Sequence, residues 1–173
     1  ANLSLALLDE GDEVIIFAPF WVSYSEIVKL GGGVPVLISA GIEDDYKVSA
    51  QQVADAITPH TKAVLFSSPC NPTGSVYTRE ELDAIATEIA KHEDIYIIAD
   101  EIYEYINFSD RHVSIGSFPQ VKDRTITVNG FSKGFAMTGW RLGYMGAPQE
   151  VASACAKIQG QFTSGANAFA QKA

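Results

Sequence analysis

Cysteine is scarce in this sequence: Cys70 and Cys155 are the only two, and they stand far apart. A disulfide framework is not expected from them, and a reducing cytoplasmic setting is the compartment such cysteine use fits. Basic residues are short as well, 12 Lys and Arg against 21 Asp and Glu, for a net charge of −9. That balance argues against nucleic acid or an anionic membrane as partner. No apolar run approaches the ~18 residues of a membrane-spanning helix, and the opening residues lack the basic region of a secretory signal. His60, His92 and His112 show no ligand spacing with one another or with the cysteines, so no metal is expected.

What is present is an ordinary globular composition, 47% hydrophobic and 19% charged, in a chain long enough for one domain with a substantial core. Short, continuously apolar runs at 14–17 and 63–66 read as strands buried on both faces, with further strands at 34–38, 95–99 and the β-rich run 125–128 and a sixth at 141–145. Between them lie helical patterns. Residues 23–30 end at a triple glycine. Ser49 with Gln52, and Thr78 with Glu81, are capping boxes that open two further helices. Pro148 suits the first position of another, running to about residue 161. Residues 41–47 form an acidic loop. Strands alternating with amphipathic helices predict an α/β fold, a mainly parallel, doubly wound sheet with helices on both faces.

In such sheets ligands sit beyond the carboxyl ends of the strands. Trp21 follows the first strand, Asn71 the third, Asp100 the fourth and Lys133 the fifth. Residues 129–146 read Asn-Gly-Phe-Ser-Lys-Gly-Phe-Ala-Met-Thr-Gly-Trp-Arg-Leu-Gly-Tyr-Met-Gly, which sets Lys133 eight residues before Arg141 among glycines that let the backbone turn. An amine able to form an imine, next to a guanidinium suited to bidentate phosphate binding, fits a ligand with both a carbonyl and a phosphate. Pyridoxal 5'-phosphate is such a ligand.

Together with Asn71-Pro72-Thr73-Gly74 and Asp100-Glu101-Ile102-Tyr103, this stretch resembles the fold-type I pyridoxal-phosphate aminotransferases, above all the bacterial aspartate aminotransferase group. The resemblance runs over essentially the whole chain, carried by motifs in family-like order and separation. It implies the strand order second, first, third, fourth, fifth, sixth, with the sixth antiparallel at an edge. It also implies a parent more than twice this long, of which residues 1–173 are part of the large cofactor-binding domain. The small domain and an N-terminal segment would lie outside this chain, in keeping with the helix-like patterns at 1–8 and 166–173 that lack a start signal and a cap.

The resemblance makes Lys133 the Schiff-base lysine and proton carrier. Asp100 becomes the partner of the pyridine nitrogen, Tyr103 and Asn71 donors to the phenolic oxygen, Trp21 the ring's stacking partner and Arg141 the phosphate anchor. Each has a plainer alternative: a solvated lysine, a helix-capping aspartate, a packing tyrosine, a turn asparagine, a core tryptophan, a surface arginine. Cis bonds before Pro19 and Pro72 are further implications. Trp140 is assigned to packing. Where relatives often carry a phosphate-binding serine three residues before the lysine, this chain has Gly130, and Ser132 substitutes only if its hydroxyl turns inward. Residues 159–167 resemble a loop approaching the neighbouring subunit of a homodimer, or else form a plain linker.

The expected reaction is transamination between an amino acid, aspartate by resemblance, and a 2-oxo acid, 2-oxoglutarate. Other enzymes on the same scaffold would share these residues: a C–S lyase, or an aromatic or histidinol-phosphate aminotransferase. A ligand-sensing module of a regulator would carry a helix-turn-helix upstream. The isolated 173-residue chain is itself expected to be an inert folded fragment.

Overall fold

A computed structural model describes residues 1–109 and 111–172. Its elements are α1 (Asn2–Leu7), β1 (Glu13–Ala18), α2 (Ser23–Leu30), β2 (Val34–Ser39), α3 (Ala50–Ala56), β3 (Thr61–Ser67), α4 (Arg79–Ile89), β4 (Tyr96–Asp100), β5 (Thr125–Gly130), β6 (Gly143–Gly146), α5 (Gln149–Phe162) and α6 (Ala168–Lys172). The strands form one sheet in the order β2-β1-β3-β4-β5-β6. All pairs are parallel except β5 with β6, which is antiparallel. This is the order and edge that the resemblance implied.

Two-residue alternation sorts the strand side chains onto the two faces. Ile15 and Phe17 of β1, Val64 and Phe66 of β3, and Ile97 and Ala99 of β4 pack with Val53 of α3 and Leu82, Ile85, Ala86 and Ile89 of α4. Val14 and Ile16, with Ala63 and Leu65, face the other way onto Tyr24 and Val28 of α2. Ile126 of β5 joins Val151 and Cys155 of α5 and the apolar side of α1. Because both faces are covered, the central strands read as unbroken apolar runs. β2 is the exception: it is an edge strand, largely exposed, and tolerates Pro35 for that reason.

Both capping boxes form. Ser49 accepts from the Gln52 N–H and Thr78 from the Glu81 N–H, with each partner side chain returning the bond. Each cap contributes about 1 kcal/mol to its helix. Four expectations change. Asp100 is the last residue of β4 rather than the first after it, and residues 101–105 form turns in place of a helical turn. β6 starts at Gly143, because Arg141 turns the chain with φ of 55°. Pro148 caps α5 instead of entering it.

Candidate active site

The carboxyl ends of β3, β4 and β5 are in register, with Asp100 beside Ser67 on one side and Val128 on the other. The strand end is pinned by the Glu101 N–H donating to Val128 O at 2.9 Å and the Ser68 N–H donating to Asp100 O at 3.2 Å. Side-chain direction at Asp100 is thereby set by the sheet. One carboxylate oxygen accepts from the Ile102 N–H at 3.1 Å, and the other from the Tyr24 hydroxyl at 2.5 Å. The bond from the Ile102 N–H is a local turn contact two residues on, not the helix cap considered from sequence, and it occupies one oxygen. Burial raises the Asp100 carboxyl above the usual range, the bonds from Tyr24 and the Ile102 N–H pull against it, and the nearby Glu101 charge adds to the rise.

Around this carboxylate the chain brings three loops. After β1, a cis Ala18-Pro19 bond leads into Trp21, 44% exposed, whose ring meets Tyr24 edge-on at 5.7 Å. So accessible an indole is not a core residue. After β3, cis bonds precede Pro69 and Pro72. The loop is tied down by the Cys70 N–H on Ser75 O, the Gly74 N–H on Cys70 O and the Ser75 hydroxyl on Asp45 O. Asn71 projects from it toward the sheet end. Tyr103, on the turn after β4, has its ring centroid 5.9 Å from Lys133 Nζ.

The lysine loop follows β5. Its backbone closes on itself through the Ala136 N–H on Lys133 O and the Met137 N–H on Phe131 O. An aromatic cluster braces it: Phe135 against Tyr105 and Phe131, and Phe131 against Tyr144. Gly134 lies so close to this cluster that a Cβ would stand 2.8 Å from the Tyr105 ring. Gly130 is equally constrained, since a Cβ there would meet Leu142 O at 3.0 Å and push β6 off β5. Arg141, left-handed and exposed, donates to Thr138 O at 2.8 Å.

Trp21, Asn71, Asp100, Tyr103, Lys133 and Arg141 all line one cavity of about 490 Å³. A cavity of that size suits a small cofactor. Gly130 and Ser132 line it too. Two further residues were missed. Tyr24 sits on the apolar stripe of α2 and reads as core, and Ser67 reads as the end of an apolar strand; both line the cavity. Tyr24 comes three residues after Trp21, one helical turn on, and that was the available signal. Trp140, expected to pack, is 40% exposed.

Behind the cavity His112 Nε2 lies 2.9 Å from Glu101 Oε2 and 4.0 Å from Glu104. Their ligand atoms fall within 4.8 Å of one another, which histidine spacing in the sequence did not reveal. The hydrogen bond to Glu101 raises the His112 imidazole above its ordinary value, burial opposes it, and the charges of Glu101 and Glu104 add to the rise. Among the described residues both cysteines are free, and no helix is long and apolar enough to cross a membrane. Residues 159–162, expected to open a loop, form the last turn of α5.

The family described as aminotransferase class I and II matches residues 1–173. An aspartate aminotransferase of Pinus pinaster is 48% identical over 98% of this chain and 35% of its own length. The solved aspartate aminotransferase of Rhizobium meliloti superposes with a TM-score of 0.96 at 41% identity, over 98% of this chain and 43% of that one. An aromatic aminotransferase of Pyrococcus horikoshii OT3 does so with a TM-score of 0.94 at 42% identity, over 98% of this chain and 46% of that one. The chain spans less than half the length of each of these relatives.

Proposed function

This chain belongs to the aminotransferase class I and II family, and on that footing we propose that it is part of the large domain of a homodimeric pyridoxal-phosphate enzyme. That enzyme moves an amino group from an amino acid, aspartate first among candidates, to a 2-oxo acid such as 2-oxoglutarate. The observation that carries the reading is the meeting of Lys133 and Asp100 with Trp21, Asn71, Tyr103 and Arg141 around one cavity at the carboxyl end of the sheet.

The donor set fits the cofactor. An exposed amine and a guanidinium lie along the cavity with a single lining carboxylate among the described residues, and that carboxylate is braced on both oxygens. When bound, pyridoxal phosphate supplies an aldehyde carbon that takes the amino group and a ring that takes up the electron pair released at the substrate Cα. Lys133 would hold that carbon covalently and, once freed, carry the proton away from the substrate Cα. Asp100 would accept from the protonated ring nitrogen and keep its proton in place. Arg141 would hold the phosphate, with Ser132 as a further donor in place of a serine at 130. Asn71 and Tyr103 would donate to the phenolic oxygen, and Trp21 would cover one ring face and exclude water. An aromatic amino acid is the second reading of the substrate, favoured by the near-equal likeness to the aromatic enzyme.

Incubation with pyridoxal phosphate followed by borohydride tests the core of this. The experiment is run on this chain and on a polypeptide extended to the relatives' length. Covalent label on Lys133 in the extended protein, lost in Lys133→Ala, is the expected result. Label scattered over other lysines, or persisting in the variant, overturns it.

A further inference from the structure

We propose that Tyr24 is a positioning residue that holds the Asp100 carboxylate in one orientation toward the cavity, and with it the ability of that carboxylate to keep a proton donor there. The proposal rests on the reading that Asp100 faces the ring nitrogen, and deepens it. The two residues are 76 positions apart, and the fold brings the Tyr24 hydroxyl onto an Asp100 oxygen at 2.5 Å. The Ile102 N–H takes the other oxygen at 3.1 Å. A carboxylate gripped once on each oxygen cannot turn about its bond to the β-carbon, and its remaining lone pairs are left for the cavity.

A buried tyrosine hydroxyl ordinarily finds some partner. Here that partner is the cavity's carboxylate, and the phenol has been fixed to serve it. Its backbone N–H bonds Trp21 O at 3.0 Å, and its ring stacks on Phe20 at 6.2 Å and meets Trp21 edge-on. Ser67, the neighbour of Asp100 across the sheet, lines the same cavity beside the pair. The turn that carries the stacking indole therefore also carries the brace. Burial, then the charge and hydrogen bond of Asp100, hold the phenol far above its ordinary value, so it stays a donor at any working pH. Other groups facing the pair are Glu101, Cys70 in the loop after β3 and, across the cavity, Tyr103, Lys133 and Arg141.

The test is a double-mutant cycle of Tyr24→Phe and Asp100→Asn with two readouts. The first uses no cofactor: unfolding of the full chain is followed against pH. Burial raises Asp100 in the folded state, so the folded chain binds the proton more tightly than the unfolded one, and stability falls as pH rises from the ordinary carboxylate value to the folded one. Loss of the Tyr24 donor should extend that fall upward by on the order of one to two pH units, the worth of a hydrogen bond to a charged group. The second is kinetics of the loaded, extended protein, where Tyr24→Phe should lower kcat about tenfold or more with little change in KM. In the Asp100→Asn background Tyr24→Phe should move neither readout. Ser67→Ala, beside the pair but without Tyr24's bond to Asp100, should shift both by less than Tyr24→Phe. A Tyr24→Phe stability profile that superimposes on the parent's, or an equal loss in the Asp100→Asn background, overturns the proposal. Near-normal turnover by Asp100→Asn alone overturns instead the cofactor reading beneath it, while the cofactor-free readout still judges the coupling.

Discussion

Replacing His112 with alanine removes the partner of a carboxylate that the fold has almost closed off from water. The Glu101 side chain is 5% exposed and that of His112 16%, with 2.9 Å between Nε2 and Oε2. A hydrogen bond to a charged group is worth about 1.5–3 kcal/mol, and stripping one partner from a buried pair costs about 3–5 kcal/mol. Two features favour the low end. Glu104 stands 4.0 Å away but is 22% exposed, and His112 Nδ1 is buried without a partner among the described residues, so protonation strands a donor. A loss of about 2 kcal/mol is expected. The sign with pH follows from linkage: His112 is raised in the folded state, so its contribution is whole below the unfolded value near pH 6.5 and fades as pH climbs through the folded value. Urea unfolding of parent and His112→Ala from about pH 6 to pH 9 reads this directly. A gap that stays constant over that range, or stays below about 0.5 kcal/mol at its acid end, would show that the pair does not act as an ionic clamp behind Asp100.

Asp100→Asn should preserve the fold, since an amide can still accept from the Ile102 N–H, while transamination by the extended protein nearly disappears; rate assays and circular dichroism on the same sample decide it. Ile97→Ala, at a fully buried position of β4 beneath the site, should cost about 2–5 kcal/mol in chemical denaturation. Thr78→Ala should cost only about 1 kcal/mol, through the lost bond to the Glu81 N–H, and should leave cofactor labelling at Lys133 untouched.

Much of this fold was legible because its central strands are covered on both faces. Residues 14–17 and 63–66 are apolar without interruption, and so short a run, rich in β-branched and aromatic residues, favours a strand buried on both faces over a helix. The capping boxes at Ser49 and Thr78 marked helix starts to the residue because two reciprocal hydrogen bonds specify the spacing. Boundaries slipped where tertiary contact overrides local preference. Arg141 is not a residue that favours positive φ, yet it turns the chain just before β6 pairs with β5, Gly143 opposite Gly130, and β6 starts two residues late. Residues 101–105 have helical spacing but are claimed by other partners: the Glu101 N–H by Val128 O, and the Glu101 side chain by His112.

The site divides in the same way. Asn71, Asp100 and Lys133 were legible because each lies at or just past the carboxyl end of a strand, and these ends converge in a parallel sheet without help from side chains; Arg141 joins them because antiparallel β6 starts at the same edge. Tyr24 was not, because a tyrosine on the apolar stripe of a helix is read by its ring, and periodicity is silent about where a hydroxyl points. The stripe was correct: the ring is buried with Val28 against β1 and β3. What periodicity lacks is the cross-sheet distance, and that depends on α2 lying over β1 and β3 so that its first turn overhangs the end of β4. Any helix packed over the carboxyl edge of such a sheet delivers its first-turn side chains to the rim. A polar group on the buried stripe there deserves testing as part of the site before it is counted as core.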